Sequence, residues 1–242
     1  MHGLKNKIAI VTGGSTGFGV GIANELIKAG AKVYIIARNK NKLNAVANEI
    51  NAIPIVGDVT KSTDWDSIFS QIIEKDKKID ILVNNAGSGG VIAEISEQTD
   101  ENVEQVIATN LCGAIYGCTR AANLLKKQGF GTIINISSIC SVEAWSGWGI
   151  YAAAKAGLEQ ITKHLYVELR PYGVRATSII PSWGATDFNL ASNLDSFDDH
   201  VAAKAIQPKD IGKVVVDVCQ LPNHLVIPEL RLLPLVQKIE PY

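Results

Sequence analysis

Tyr151 and Lys155 stand four positions apart in GIYAAAKAG, residues 149–157. On a helix, side chains at i and i+4 share one face, so a phenol and an ammonium would meet there. A free tyrosine ionises near pH 10, so at neutral pH its phenol needs about 3 units, or ~4 kcal/mol, of help to become an effective base. One positive charge ~4 Å away at an effective dielectric of ~20 supplies about that much. The sequence therefore predicts that Lys155 lowers the Tyr151 pKa and that Tyr151 takes and returns the proton of an alcohol or carbonyl. Ser138 can hydrogen-bond the same oxygen as charge develops on it. The pair by itself says little. With six tyrosines in the chain, chance supplies on the order of 0.4 Tyr-x-x-x-Lys pairs.

A second stretch with chemical meaning is TGGSTGFG, residues 12–19, which follows the apolar run KIAIVT. A strand, a Gly-rich turn and a helix start in that order form a phosphate cradle. Gly13 permits the tight turn, Gly17 lets backbone approach a pyrophosphate, and Gly19 lets the helix pack on the strand, with the free N–H groups of the helix start facing the phosphates. The spacing is Gly-x-x-x-Gly-x-Gly, not Gly-x-Gly-x-x-Gly.

Both stretches need a scaffold, and the pattern along the chain predicts one. Apolar runs at 7–12, 32–37, 53–59, 79–87, 131–138 and 174–181 alternate with helical patterns at 19–30, 40–50, 62–76, 100–127 and 150–170. The runs are continuously apolar, which suits a parallel sheet covered on both faces. The alternation predicts a single-domain α/β, doubly wound parallel sheet. Ligands of such sheets bind at the carboxyl ends of the strands, where Ala37-Arg38, Asp58-Val59, Asn84–Gly87, Ser137-Ser138 and Pro181 all fall. Residues 182–205 are too long and polar for a simple connection and are expected to form a lid. A strand is expected near 225–233, without an evident place in the sheet.

Composition narrows the function further. The 242 residues carry a formal net charge of −1, which excludes a basic field for nucleic acid or anionic lipid. No uninterrupted apolar run approaches ~18 residues, so no membrane span is predicted, and the start MHGLKNKIAI is not expected to act as a secretory signal. Cys112, Cys118, Cys140 and Cys219 lack metal-ligand spacing, so the expectation is reduced thiols in a cytoplasmic protein and no metal site.

Taken together, TGGSTGFG, Asp58-Val59, NNAG at 84–87, Asn110 in TNLCG, Ser138 and YAAAK resemble the short-chain dehydrogenase/reductase family in order and spacing. The resemblance spans about residues 5–190 and implies a Rossmann fold with Asn110, Ser138, Tyr151 and Lys155 as catalytic residues. It implies that Asn110 helps hold a water connecting the lysine to solvent. It places Gly13, Ser15, Thr16, Gly17, Phe18, Gly19, Val59, Ala86, Pro181, Tyr151 and Lys155 about the cofactor, Asp58 at the adenine, Asn85 and Gly87 beside the adenine-side ribose, and Thr186 at the carboxamide. It also implies a homo-oligomer, commonly of four subunits.

An NAD site of this kind wants an acid at the end of the second strand, to bind the ribose 2′-OH. Here Ala37 is followed by Arg38 and Asn39, which suits the 2′-phosphate of NADP(H). Ser15-Thr16 occupy the turn position where the family often has a base, so the preference is expected to be less steep. Ser182 stands where the family usually has glycine after Pro181. Trp145, Trp148 and Trp183 flank the proposed chemistry and are expected to line a substrate pocket with Ser138 and Tyr151. The reading is an NADP(H)-dependent alcohol dehydrogenase or carbonyl reductase acting on a small secondary alcohol or ketone. A dehydratase or epimerase on the same fold, or a dinucleotide sensor or scaffold without turnover, stays open.

Overall fold

In the computed structural model, which describes residues 3–188, 192 and 198–237, every residue of strand β1 (Ile8–Thr12) is buried. Ile8 and Ile10 pack into one layer, Ala9 and Val11 into the other. Successive side chains of a strand point to opposite faces, so an unbroken apolar run signals cover on both sides. Strands β2 (Lys32–Ala37), β3 (Ile53–Val56), β4 (Ile81–Asn84), β5 (Gly131–Ile136), β6 (Val174–Pro181) and β7 (Glu229–Leu232) complete the sheet. Their order is β3-β2-β1-β4-β5-β6-β7, and every pair is parallel. The doubly wound single domain expected from the sequence is the fold observed. The tail strand has its place too: β7 lies beside β6, with Ser178 opposite Glu229.

Helices α1 (Gly17–Lys28) and α2 (Lys40–Ile50) cover one face. Helices α3 (Ser62–Asp76), α5 (Gly113–Gln128) and α6 (Gly149–Leu169) cover the other. Between α3 and α5 lies α4 (Asp100–Ile107). The sequence predicts one helix over 100–127, but a π-helical turn at Ala108–Cys112 separates α4 from α5. Asn110, fully buried in that turn, donates from its amide to the Val106 carbonyl at 2.9 Å and to the Ser88 carbonyl at 2.7 Å. A side chain that takes up a carbonyl four residues back competes with the helix's own ladder and bends it.

Between residues 182 and 205 the described part is anchored rather than loose. The Ala185 N–H donates to Ile206, and the Ile206 N–H to Trp183, both at 2.9 Å, ahead of which runs the short helix α7 (Asp199–Lys204). Residues 189–191 and 193–197 of the expected lid lie outside the described residues. Residues 208–220, to which the strand-and-helix pattern assigns nothing, form α8 (Pro208–Gln220). Its signals are local: Pro208 in the first turn and a reciprocal cap between Gln207 and Asp210, which satisfies two otherwise orphaned N–H groups. Ile211, Val215, Val218 and Cys219 form its buried stripe. α8 packs so closely on α1 that a Cβ on Gly21 would stand 2.1 Å from the Pro208 carbonyl oxygen. That contact fixes the helix whose N-terminus opens at the Gly-rich turn. Among the described residues, no helix is long and apolar enough to cross a membrane.

Candidate active site

β1 lies between β2 and β4, so the chain leaves it in opposite directions on its two sides and a crevice opens at its carboxyl end. The turn there is held by Thr12. Its hydroxyl accepts from the Asn85 N–H at 2.9 Å and the Ala86 N–H at 3.0 Å, tying the end of β1 to the NNAG segment. Gly13 adopts φ +66°, and a Cβ on it would meet Ala86 Cα at 2.9 Å. A Cβ on Gly19 would fall 2.1 Å from the Gly13 carbonyl oxygen. Thr16 precedes α1 without capping it through its side chain, which leaves the first N–H groups of the helix available to an anion. Only glycine fits at positions 13 and 19 of this cradle, and its geometry suits a dinucleotide's phosphates.

Ser138 ends the segment after β5 and accepts from the Cys140 N–H at 3.2 Å, starting a 3-10 turn at Ile139–Ser141. The α6 helix then carries Tyr151 and Lys155 on one face, both buried. The Lys155 ammonium donates to the Ile136 carbonyl at 2.9 Å and stands 5.7 Å from the centre of the Tyr151 ring. Tyr151 is packed edge-on by Trp148, with ring centres 5.5 Å apart, and by Phe188 at 5.6 Å. A single cavity of about 540 Å³ joins the two regions, with Gly13, Thr16 and Phe18 at one end and Ser138, Tyr151 and Lys155 at the other.

The electrostatics differ from the sequence expectation. Burial raises the Tyr151 pKa above its ordinary value, Cys140 adds to the rise, and the hydrogen bond from Ser138 acts the other way. Lys155 does not offset the burial. Its own pKa is lowered to about 8, chiefly by burial, against the pull of Glu159 and Cys140. A charge ~4 Å from the phenol would help it ionise, but desolvation of both groups disfavours each charged form and outweighs that help. In the protein alone Tyr151 is a neutral phenol: a proton donor.

The family model described as short chain dehydrogenase matches residues 7–196. The chain belongs to the short-chain dehydrogenase family. An oxidoreductase of Staphylococcus epidermidis, itself uncharacterized, is 34% identical over 97% of this chain and 100% of its own length. Another from Staphylococcus saprophyticus is 35% identical, with 96% and 98% covered. Among solved structures, a serine dehydrogenase complexed with NADP+ is 29% identical with a TM-score of 0.89, over 97% of this chain and 98% of that one. A 3-ketoacyl-(acyl-carrier-protein) reductase of Brucella melitensis complexed with NADH is 27% identical with a TM-score of 0.87, over 95% and 98%. The protein is thus an oxidoreductase of a family that includes solved structures complexed with NADP+ and with NADH.

Against that family pattern, the expected residues divide. Gly13, Thr16, Gly17, Phe18, Asn85, Ala86, Gly87, Pro181, Thr186 and all three expected tryptophans line the cavity, although the Asn85 amide is also bound to the Thr12 carbonyl at 2.9 Å. Ser15, Gly19, Val59 and Asn110 do not line it. Asn110 instead holds the loop after β4, its Oδ1 accepting from the Ser88 N–H at 3.1 Å. Arg38 is exposed near Asp58. Burial pushes the Asp58 carboxyl up, but two hydrogen bonds from Thr60, with Arg38 and Lys61 nearby, outweigh it and leave it below the usual carboxylate range. The Asn39 side chain caps α2, accepting from the Lys42 N–H at 3.0 Å. Ser182 lines the cavity with a buried hydroxyl that has no partner among the described residues, so it caps no turn there.

Lys42, Cys140 and Phe188 also line the cavity. Cys140 and Phe188 fall in the segments 139–148 and 182–205 that the sequence marks as the substrate wall without singling either out, and Lys42 falls outside both. Lys42 had a signal. It sits in the first turn of α2, the helix that starts at the second strand's carboxyl end. Trp65, by contrast, is wholly buried in the α3–α5 layer, with its indole N–H donating to the Val59 carbonyl at 3.0 Å. Among the described residues no cluster of metal-binding side chains occurs, and the four cysteines are free thiols.

Proposed function

We propose that this protein reduces a small, largely apolar ketone with NADPH, the reverse reaction being oxidation of the secondary alcohol. The observation that carries the reading is the one cavity that runs from the Gly-rich cradle to Ser138, Tyr151 and Lys155. The cofactor supplies the hydride when bound; the protein's part is orientation and the proton. Ser138 and the Tyr151 hydroxyl hold the carbonyl oxygen from two sides, and the neutral phenol donates its proton as negative charge develops there. Lys155 stabilises the tyrosinate left behind, and is reprotonated less readily as pH rises through about 8.

For the phosphate of NADP(H), Arg38 lies between the end of β2 and the α2 cap and Lys42 lies in the first turn of α2, where it lines the cavity. Two cations and no acid at that position favour a 2′-phosphate. Screening ketones while following NADPH absorbance, with NADH in parallel, tests the reading. NADPH is expected to give the higher kcat/KM, and Arg38→Glu or Lys42→Glu to lower that preference by about 10- to 100-fold. Equal kcat/KM with both cofactors in the unmodified protein would refute the NADP assignment.

Trp145, Trp148, Trp183 and Phe188 make the pocket beyond Tyr151 apolar, and Trp148 and Phe188 lie nearly parallel, 6.4 Å between centres. Removing the Trp148 ring takes away a flat apolar wall without touching the phosphate cradle. Trp148→Ala is expected to raise KM by about tenfold on an apolar ketone, with NADPH affinity nearly constant. An unchanged KM across a substrate panel would move the pocket elsewhere.

A further inference from the structure

Glu159 follows Lys155 by one further turn of α6, on the same helix face. It is 5% exposed, against 4% for Lys155. One carboxylate oxygen, Oε1, accepts a 2.5 Å hydrogen bond from the Ser178 hydroxyl of β6. The other, Oε2, is buried and accepts no hydrogen bond among the described residues. A buried carboxylate with half its acceptor capacity unmet is costly, and among the described residues no arginine forms an ion pair with it.

We propose that Glu159 is the counter-charge that keeps Lys155 protonated, a positioning residue that acts through the lysine and touches neither substrate nor cofactor. Lys155 is buried apart from the side that lines the cavity. The Ile136 carbonyl takes one of its protons. Gly87 covers it so closely that a Cβ there would lie 3.5 Å from the ammonium and 2.7 Å from Asn110 Oδ1. Among the described residues, the titratable groups placed against it are Tyr151 and Glu159 from its own helix and Cys140 from the 3-10 turn; β5 presents the Ile136 carbonyl, and the Asn110 amide of the π-helical turn lies beyond Gly87. Tyr151 is neutral, and burial holds the Cys140 thiol up, so that it stays protonated too. Cys140 can pull on the lysine only once its thiol ionises, so with Tyr151 and Cys140 both protonated Glu159 is the one of the three that can bring a negative charge. It works against the desolvation that pulls the lysine down. Ser178 hydrogen-bonds the carboxylate from β6, while the place of the charge is set by Glu159's own position one turn along α6 from Lys155.

For its catalytic consequence the inference rests on the proposed reaction, but its central claim does not. The experiment is the titration of Lys155 itself, by NMR of protein carrying labelled lysine, with the resonance assigned from its loss in Lys155→Met. Glu159→Gln keeps the size of the side chain and an oxygen for Ser178. It is expected to lower the Lys155 pKa by about one to two units, and to move the alkaline limb of the kcat/KM profile down by a similar amount. Glu159→Asp, which retains the charge, should restore most of both. Ser178→Ala, which removes the hydrogen bond and leaves the charge, should leave the Lys155 titration near its original position. If the amide is not accommodated, Glu159→Met provides the same neutralisation with an apolar side chain of similar size. A folded neutral variant whose Lys155 titrates as before would overturn the proposal, as would an activity loss equal at every pH. Because the titration needs no substrate, a shifted Lys155 in a protein that reduces no ketone would preserve the role of Glu159 and refute the reaction instead.

Discussion

Tyr151→Phe is expected to lower kcat by about 10²–10⁴-fold while the protein still folds and still binds its nicotinamide cofactor. The substitution removes one oxygen and one proton and keeps the ring. The ring is what packs against Trp148 and Phe188, so the small cluster around it, which includes Val106 and Ile139, loses no apolar contact. What is lost is the proton donor. Because burial raises this phenol's pKa, the donor is fully protonated at neutral and acid pH, and reduction should show no acid limb from Tyr151. The fall in activity should come on the alkaline side, where Lys155 loses its charge near pH 8. Steady-state kinetics on one good ketone, with cofactor affinity from tryptophan quenching and a thermal melt as controls, would decide it. A near-normal kcat in the phenylalanine variant would require another acid, and Cys140 would be the next group to test.

The fold was legible because its signals are short-range and redundant. An unbroken apolar strand such as Ile8–Val11 can be satisfied only between two helical layers, and six such runs separated by helical patterns leave few topologies. The candidate site was legible for the same reason: a Gly-rich turn, NNAG, Ser138 and YAAAK each end or follow a strand, so the sheet brings them together. What the residues did not disclose depends on tertiary facts. The π-helical turn at Asn110 arises from a side-chain bond to Val106 and a loop contact to Ser88, neither visible in helical periodicity. The pKa of Tyr151 turns on how deeply two groups are buried, and spacing carries no information on depth. Glu159 reads as one more polar helix residue until β6 is seen to close over it. α8 is the exception. Its proline start, its Gln207–Asp210 cap and its apolar stripe were all available, and the polar stretch before it drew attention away.

Trp65→Ala should be the most destabilising of the aromatic substitutions, although Trp65 is remote from the cavity. The sequence suggests it as a control, on the helix expected at 62–76 and remote from the crevice. The structure makes it the largest wholly buried side chain of its layer. Its ring meets Phe69 with centres 6.1 Å apart, and it fills the space that Gly117 leaves on α5, where a Cβ would stand 2.5 Å from Trp65 Cη2. Its indole N–H holds the carbonyl of Val59, so the same side chain packs two helices and fixes the loop after β3. Truncating a buried tryptophan to alanine costs roughly 3–5 kcal/mol through lost transfer and the cavity left behind. At about 2–4 °C per kcal/mol for a domain of this size, Tm should fall by roughly 6–20 °C. Gly117 cannot fill the gap, and a helix on either side resists collapse. Below the shifted melting range the ratio of kcat/KM values across ketones should match the unmodified protein, because no ring of the cavity has moved. The contrast with Trp148→Ala is then diagnostic: one variant loses stability and keeps selectivity, the other does the reverse. A melt within about 2 °C of the unmodified protein would mean that α3 and α5 repack around the void, and that the close approach at Gly117 is not set by this ring.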